Sequence, residues 1–238
     1  MTVDERIHES LLLYTGIHSR LGGIALSYLA TLQKISEISR TKLSERSLEG
    51  RDPMEQMKEV GTAALQFSEF LHENAIMALA KIIEDTSIEL KRHAKFKFDP
   101  VKNNHGVIYL KELQTIRALA NIIKHNVSQL ERNTSESAKF LVDECNMEDG
   151  RSLRSFINLQ HESFDISEHI PKVYLAMIDL VEKAIGVKHP LLNLEYDDAF
   201  NKIYIVLLPK VLNITRPNKV TDLLTAASPE HSSINFND

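Results

Sequence analysis

The segment between Gly106 and Glu131 carries the most regular apolar pattern in the chain. Its apolar side chains follow one another at alternating steps of four and three residues, at Tyr109, Leu113, Ile116, Ala120, Ile123, Val127 and Leu130. This rhythm places them on one face of an α-helix. The pattern therefore predicts a helix over 106–131 whose apolar face forms part of a hydrophobic core.

Two longer segments show the same rhythm and predict a helical hairpin. The first runs from Asp4 to about Leu43, and the second begins after the helix-breaking string LEGRDP and runs to about Phe96. Because their apolar stripes have matched lengths, we expect the two helices to pack antiparallel. Gly22 and Gly23 in the middle of the first helix indicate a close crossing or a bend.

Shorter helices are predicted after residue 131. Ser135 or Ser137 is the expected N-cap of a helix over AKFLVDEC, and a short helix is expected over 151–161. The run IYIVLL has no second β-like run to pair with, so 191–214 is also predicted to be a helix, bent at Pro209. The fold class that follows is all-α: a multi-helix bundle built on the hairpin, one domain over 1–214, with a flexible C-terminal tail over 215–238.

A further helix, between residues 165 and 186, carries clear start and stop signals in its sequence. Asp165 and Glu168 have the spacing of a capping box, and Gly186 follows the last apolar residue. The body of this helix is predicted over 173–185. Pro171 lies among its first turns and favours a start later than the capping box indicates.

Composition narrows the classes of function. The formal net charge of −5 argues against a general nucleic-acid coat protein, which needs a net basic surface. Cys145 is the only cysteine, so the sequence provides neither a disulfide framework nor a thiolate zinc site. The N-terminal string is acidic where a secretory signal is basic, and no apolar run reaches the roughly 18 residues of a membrane span. We therefore expect a soluble, cytoplasmic protein without membrane contact.

The sequence lacks the motifs of several common sites, so no cofactor and no metal are expected. The eight glycines form neither a phosphate-binding loop nor a dinucleotide fingerprint. Acidic neighbours should raise the pKa of the Cys145 thiol and make it a poor nucleophile. Two Glu-x-x-His pairs, Glu5 with His8 and Glu69 with His72, have the spacing of di-iron ligands, but about this many pairs are expected by chance.

The densest group of chemical functions lies on the helix over 106–131. Arg117, Asn121 and His125 follow one another at steps of four, off the apolar face, with Lys124 beside them in RALANIIKHN. One interpretation is a solvated polar face. The other is a site for RNA, in which a histidine moves a proton for the attack of a ribose 2′-hydroxyl and an arginine binds the phosphate. Both interpretations remain open on the sequence alone.

A helical domain with an arginine, a short helical gap and a histidine resembles the HEPN superfamily. The family motif is Arg, four to six residues, then His, commonly with a polar residue directly after the arginine. In RALANIIKHN, Arg117 and His125 are separated by seven residues and Ala118 follows the arginine. In RSFINLQH, Arg154 and His161 have a gap of six and the polar Ser155 follows. The resemblance therefore offers two placements of the motif.

The resemblance implies a metal-independent endoribonuclease or RNA-binding effector of a prokaryotic toxin–antitoxin or phage-defence system. It assigns acid/base catalysis to His125 and phosphate binding to Arg117, with Asn121 and the RNA-binding Lys124 beside them, or the same two roles to His161 and Arg154. It also implies a homodimer and a possible antitoxin partner. The alternative is a non-catalytic protein–protein interaction module whose long hairpin docks a partner or its own copy, and the net acidity favours that alternative.

Overall fold

A computed structural model describes residues 2–40, 52–102, 104–125, 128–153 and 164–205. Six α-helices and one π-helical turn follow each other along the described ranges: α1 (Val3–Arg40), α2 (Pro53–Ala94), α3 (Leu110–His125), α4 (Glu136–Asp143), α5 (Ile166–Ile185), α6 (Tyr196–Phe200) and the π-turn (Asn201–Ile205). The described residues contain no β-strand, and an isolated bridge joins Gln129 to Ser152. The predicted all-α class is confirmed.

The first two helices form the antiparallel hairpin that the sequence predicts. Arg20 on α1 contacts Asp85 near the end of α2 at 2.6 Å, whereas Tyr28, further along α1, contacts the earlier His72 at 3.0 Å. Asp52 caps the start of α2 by accepting the N–H of Met54. The hairpin provides the frame against which the later helices pack.

At Gly23, α1 does not form the close crossing that was predicted for its glycine pair. The helix is continuous through both residues, and Gly22 is buried. A Cβ atom built on Gly23 would meet no neighbouring atom within 4 Å. The prediction of a close crossing at Gly23 is therefore wrong among the described residues, because Gly23 faces open space on the outer side of the hairpin.

Helix α5 lies at the centre of the bundle and packs against α1, α2 and α3. Asp165 caps it by accepting the N–H of Ser167 at 2.8 Å, and Gly186, at a φ of +78°, ends it in the left-handed conformation. Pro171 lies inside the helix, so the expected later start is wrong. The carbonyl of Ser167, which a proline at position 171 cannot bond, accepts the hydroxyl of Tyr204 instead.

Helix α3 is shorter at both ends than the predicted helix over 106–131. Tyr109 has a φ of +51° and Ser128 a φ of +60°, and these left-handed residues lie just outside its two ends. The predicted apolar residues inside the helix are buried or half-buried. Further residues are buried as well, namely Thr115, Ala118, Leu119 and Ile122. A wider face of α3 is therefore covered than the stripe alone indicates.

The shorter elements confirm some predictions and leave others untested. Ser135, rather than Ser137, caps α4 by accepting the N–H of Ala138. Residues 196–205 are helical, which agrees with the prediction for part of 191–214, but 191–195 are not. The rest of that prediction with its bend at Pro209, the tail over 215–238 and most of the helix over 151–161 fall outside the described residues.

Candidate functional site

A surface pocket of about 420 Å³ opens between α3, α4 and the turn over 99–102. We call it the α3 pocket. Arg117 and Asn121, which the sequence analysis placed in one polar column, both line it. The turn contributes Asp99 and Lys102, and α4 contributes Phe140. The structure therefore brings two of the predicted site residues together with a second cation, Lys102, that the sequence analysis did not find.

Arg117 faces a carboxylate in this pocket. Its Nη1 lies 3.6 Å from Oδ1 of Asp99. That carboxylate is held in place by the N–H of Val101, which it accepts at 3.0 Å. This N–H and, to a lesser degree, the Arg117 guanidinium hold the pKa of Asp99 below its usual range. Asp99 therefore stays ionised at neutral pH and offsets part of the positive charge of Arg117.

The amide side chains of the pocket are oriented by the protein itself. Asn121 donates from Nδ2 to the hydroxyl of Ser137 at 3.1 Å, and Gln114 donates from Nε2 to the carbonyl of Pro100 at 2.9 Å. Their carbonyl oxygens are thereby left as acceptors for a ligand. Phe140 and the buried Pro100 supply apolar surface. Two cations and an apolar wall can hold a phosphate beside a flat ring, whose N–H groups the amide oxygens can accept. The carboxylates of Asp99 and Glu136 also line the pocket and offset part of its positive charge.

His125 lies outside the α3 pocket. It is the last residue of α3 and is exposed, and no other residue in the described ranges forms a hydrogen bond or ion pair with it. The neighbouring Lys124 lies 3.8 Å from Glu84 on α2. Because eight residues of helix rise about 12 Å, His125 is two turns beyond Arg117. The structure places both on the same side of α3 but does not bring them onto one phosphate.

The alternative motif cannot be placed, because Arg154 and His161 fall outside the described residues. His169, on the first turn of α5, is half-buried. His169 donates from Nδ1 to the carbonyl of Asp165 at 2.8 Å, and burial lowers its pKa to about 4. This imidazole is therefore neutral at physiological pH and supports the start of α5.

His72, which belongs to one of the Glu-x-x-His pairs, is occupied by structural hydrogen bonds. Its Nδ1 lies within hydrogen-bond distance of the Ser68 carbonyl, so Nε2 accepts the hydroxyl of Tyr28 at 3.0 Å. Burial lowers the pKa of His72 and keeps the ring neutral. Among the described residues, no group of three histidine, cysteine or acidic side chains is arranged to hold a metal ion.

The Cys145 thiol behaves as predicted, although for a different main reason. Its pKa is raised, and burial is the largest cause, ahead of its acidic neighbours Glu144 and Glu112. The hydroxyl of Thr115 lies 3.4 Å from its sulfur. A half-buried thiol with a raised pKa is a weak nucleophile, so the chemistry of this chain does not centre on Cys145.

Most of the pocket residues that sequence reasoning missed carry no local signal. Gln114 is the exception, because it stands three residues before Arg117 and extends the polar column by one turn. Lys102, Ser137 and Phe140 come from other segments and meet α3 only through the tertiary fold. A pattern read along one helix does not indicate them.

No helix in the described ranges is both long enough and apolar enough to cross a membrane. Comparison of the chain with protein-family models finds no match. Comparison with curated proteins and with solved structures finds none either. Functional conclusions therefore rest on the residues and their geometry.

Proposed function

We propose that this chain is a HEPN-like RNA-binding protein that cleaves RNA without a metal ion, and that RNA lies along the polar side of α3. The observation that carries the proposal is the α3 pocket. Arg117, Asn121 and Lys102 open into one cavity beside an apolar wall, and Lys124 and His125 continue the same side of the helix. A strand of RNA extends over several nucleotides and can contact both ends of this surface.

The two ends of this surface have different roles in the proposal. Arg117 and Lys102 bind a backbone phosphate at the α3 pocket, where Phe140 offers a face for a base. His125 is exposed and presents its imidazole at the other end, next to the ammonium of Lys124. There it accepts the proton of a ribose 2′-hydroxyl as this oxygen attacks the adjacent phosphorus. The imidazolium so formed gives that proton to the 5′-oxygen as its bond to phosphorus breaks, which leaves a 2′,3′-cyclic phosphate and a neutral imidazole. Lys124 stabilises the charge that develops on the phosphate.

Cleavage of RNA by purified protein in EDTA tests this proposal. His125→Ala should lower the rate by roughly 10²- to 10⁴-fold, because it removes the proton acceptor. Arg117→Ala should weaken RNA binding, and Arg117→Lys should restore it only in part, because an ammonium lacks the paired donors of a guanidinium. His8→Ala is the matched control, since His8 is an exposed histidine on the first turns of α1.

The same assay tests the second placement of the motif, at Arg154 and His161, and can also rule out RNA as the ligand. If Arg154→Ala and His161→Ala abolish cleavage while His125→Ala does not, the active residues are those of the second motif. If the wild-type protein neither binds nor cleaves any RNA in a mixed pool, the RNA proposal is wrong.

A second candidate function is the non-catalytic protein–protein interaction module that the sequence also allows. The observation that favours it is the first half of α2, where large apolar side chains are exposed: Met54, Met57, Leu65, Phe67 and Phe70. Exposed large apolar side chains that lie close together along one helix favour protein association. Loss of protein binding on Phe67→Ser, without any effect on RNA, would support this function and would separate it from the first.

A further inference from the structure

The wall of the α3 pocket that α4 provides combines an aromatic ring with a carboxylate. Glu136 and Phe140 stand four residues apart on α4, and both line the pocket. Side chains at this spacing are neighbours on one face of a helix. A flat ring that stacks on Phe140 can therefore place its edge against the Glu136 carboxylate.

Of the two carboxylates that line the pocket, Glu136 is the one available to a ligand. Asp99 accepts the N–H of Val101 and faces Arg117. Glu136 is exposed, and no group in the described ranges forms a hydrogen bond or ion pair with its carboxylate. A carboxylate offers two oxygen acceptors and no donor. A ring edge that binds there must therefore carry N–H groups.

The opposite wall of the pocket, on α3, adds further acceptors. Asn121 donates from Nδ2 to the hydroxyl of Ser137, the residue that follows Glu136, and this bond joins α3 to α4. Gln114 donates from Nε2 to the carbonyl of Pro100. The two bonds orient the amides and leave their carbonyl oxygens as acceptors. Both walls therefore favour a ring that presents donors over a ring that presents acceptors.

Guanine is the RNA base whose Watson–Crick edge fits such a carboxylate. It carries the N1–H next to the N2 amino group, so the two oxygens of one carboxylate accept both donors. Adenine and cytosine place a ring-nitrogen acceptor beside their amino group, and uracil places a carbonyl on either side of its single N–H. In these other bases an acceptor would face a carboxylate oxygen, and the repulsion between them disfavours binding.

We propose that the α3 pocket selects guanine, with the base stacked on Phe140 and its N1–H and N2–H groups donated to the Glu136 carboxylate. This inference rests on the proposed function, in which RNA lies along the polar side of α3. Arg117 and Lys102 bind the backbone phosphate whatever the base, whereas Glu136 determines which base is accepted. The pocket volume of about 420 Å³ lies within the range of about 300–1,000 Å³ that is usual for sites of small ligands.

Fluorescence anisotropy with short uridine oligonucleotides tests the choice of base. The central nucleotide is guanosine, adenosine, cytidine or uridine, and 2′-O-methyl groups prevent cleavage. Wild type should bind the guanosine oligonucleotide roughly 5- to 100-fold more tightly than the others, because one bidentate contact discriminates by about that factor. Glu136→Gln should lose this preference, since its amide turns an N–H towards one of the two guanine donors. Glu131→Gln is the matched control, because it removes the same charge from an exposed residue outside the pocket, and it should keep the preference.

The ratio of affinities separates this inference from RNA binding itself. A change in net charge acts on all the oligonucleotides alike and leaves the ratio unchanged. If wild type binds them with equal affinity, or prefers another base, the guanine assignment is wrong and RNA binding stands. A guanosine preference that survives Glu136→Gln overturns the assignment as well, because another group would then read the base. If wild type binds none of the oligonucleotides, both the proposed function and the choice of guanine are wrong.

Discussion

The hydroxyl of Tyr204 donates to the carbonyl of Ser167 at 2.6 Å, and this bond replaces the one that Pro171 removes from α5. In a regular helix the N–H of residue 171 would bond the carbonyl of residue 167, four positions earlier. Proline has no N–H, so that carbonyl needs another donor. The fully buried Tyr204, carried by the π-turn, supplies it. The last described element of the chain thereby completes the central helix.

Removal of this hydroxyl should destabilise the protein. Tyr204→Phe leaves the Ser167 carbonyl without a partner inside the core, and we expect the free energy of unfolding to fall by about 1–3 kcal/mol. Pro171→Ala restores a backbone N–H that can bond the same carbonyl. In the Pro171→Ala background, Tyr204→Phe should therefore lower the free energy of unfolding by clearly less than it does in the wild type. Urea denaturation of the two single variants and the double variant measures this coupling, and strictly additive costs would contradict it.

Asp179 should be one of the most sensitive positions in the core. It is 5% exposed, accepts the N–H of Ile108 at 2.9 Å and pairs with Lys183. Asp179→Ala leaves that N–H unpaired and should cost about 2–3 kcal/mol of stability. Asp179→Asn keeps an acceptor for Ile108 and should cost less. Equal losses in the two variants, measured by chemical denaturation, would show that the bond to Ile108 contributes little.

Stability should fall as the pH is lowered from about 6.5. Burial lowers the pKa of His169 to about 4, against 6.5 in the unfolded chain. Between pH 6.5 and pH 4 this histidine is therefore protonated in the unfolded chain but not in the folded chain. Its contribution to the free energy of unfolding is fully present above pH 6.5 and is lost as the pH falls towards 4. A difference of this size corresponds to about 3 kcal/mol. The pKa values of His18, His72 and His189 are lowered by burial in the same direction.

His169→Gln isolates this contribution. Glutamine still has an amide that can donate to the Asp165 carbonyl, but it does not titrate. Burial raises the pKa of Asp165, which acts in the opposite direction, so the informative quantity is the difference between the two proteins. The unfolding free energy of His169→Gln, measured between pH 7.5 and 4.5, should depend less steeply on pH than that of wild type. Parallel profiles would rule out His169 as the source.

Loss of the Asp99 charge should strengthen RNA binding under the proposed function. Asp99→Asn keeps an oxygen that accepts the N–H of Val101 but removes the carboxylate that faces Arg117. We expect affinity to rise roughly two- to fivefold, because a partly exposed ion pair is worth at most about 1 kcal/mol. Glu148→Gln is the matched control, since it changes the net charge equally at another exposed carboxylate. Fluorescence anisotropy at two salt concentrations measures both, and equal gains in the two variants would point to net charge alone.

Local signals in the sequence predicted the helices well because they act over a few residues. The Asp165 and Ser135 caps and the stop at Gly186 follow from hydrogen bonds to neighbouring backbone groups. The ends of α3 were missed, because Tyr109 and Ser128 adopt left-handed conformations that only the tertiary fold imposes.

The candidate site was predicted only where it lies on one helix. The polar column gave Arg117 and Asn121, but the carboxylate that faces Arg117 comes from the turn after α2. The eight-residue spacing of Arg117 and His125 predicts their separation of two turns along α3. The orientation of the Arg117 side chain could not be predicted, because it depends on the contact with Asp99. Contacts between distant segments, such as the hydroxyl of Tyr204 on Ser167, leave no trace in a local pattern.

The length of α2 gives the molecule a mechanical property. Its 42 residues make an unbroken rod of about 63 Å, and its buried side chains lie between His72 and Leu90. A stiff helix that is anchored mainly over one part carries a force along its length. A force applied at Phe70 is therefore carried along α2 to Glu84, which faces Lys124 on the polar side of α3. A molecule that binds the first half of α2 can therefore displace α3, the helix that carries His125.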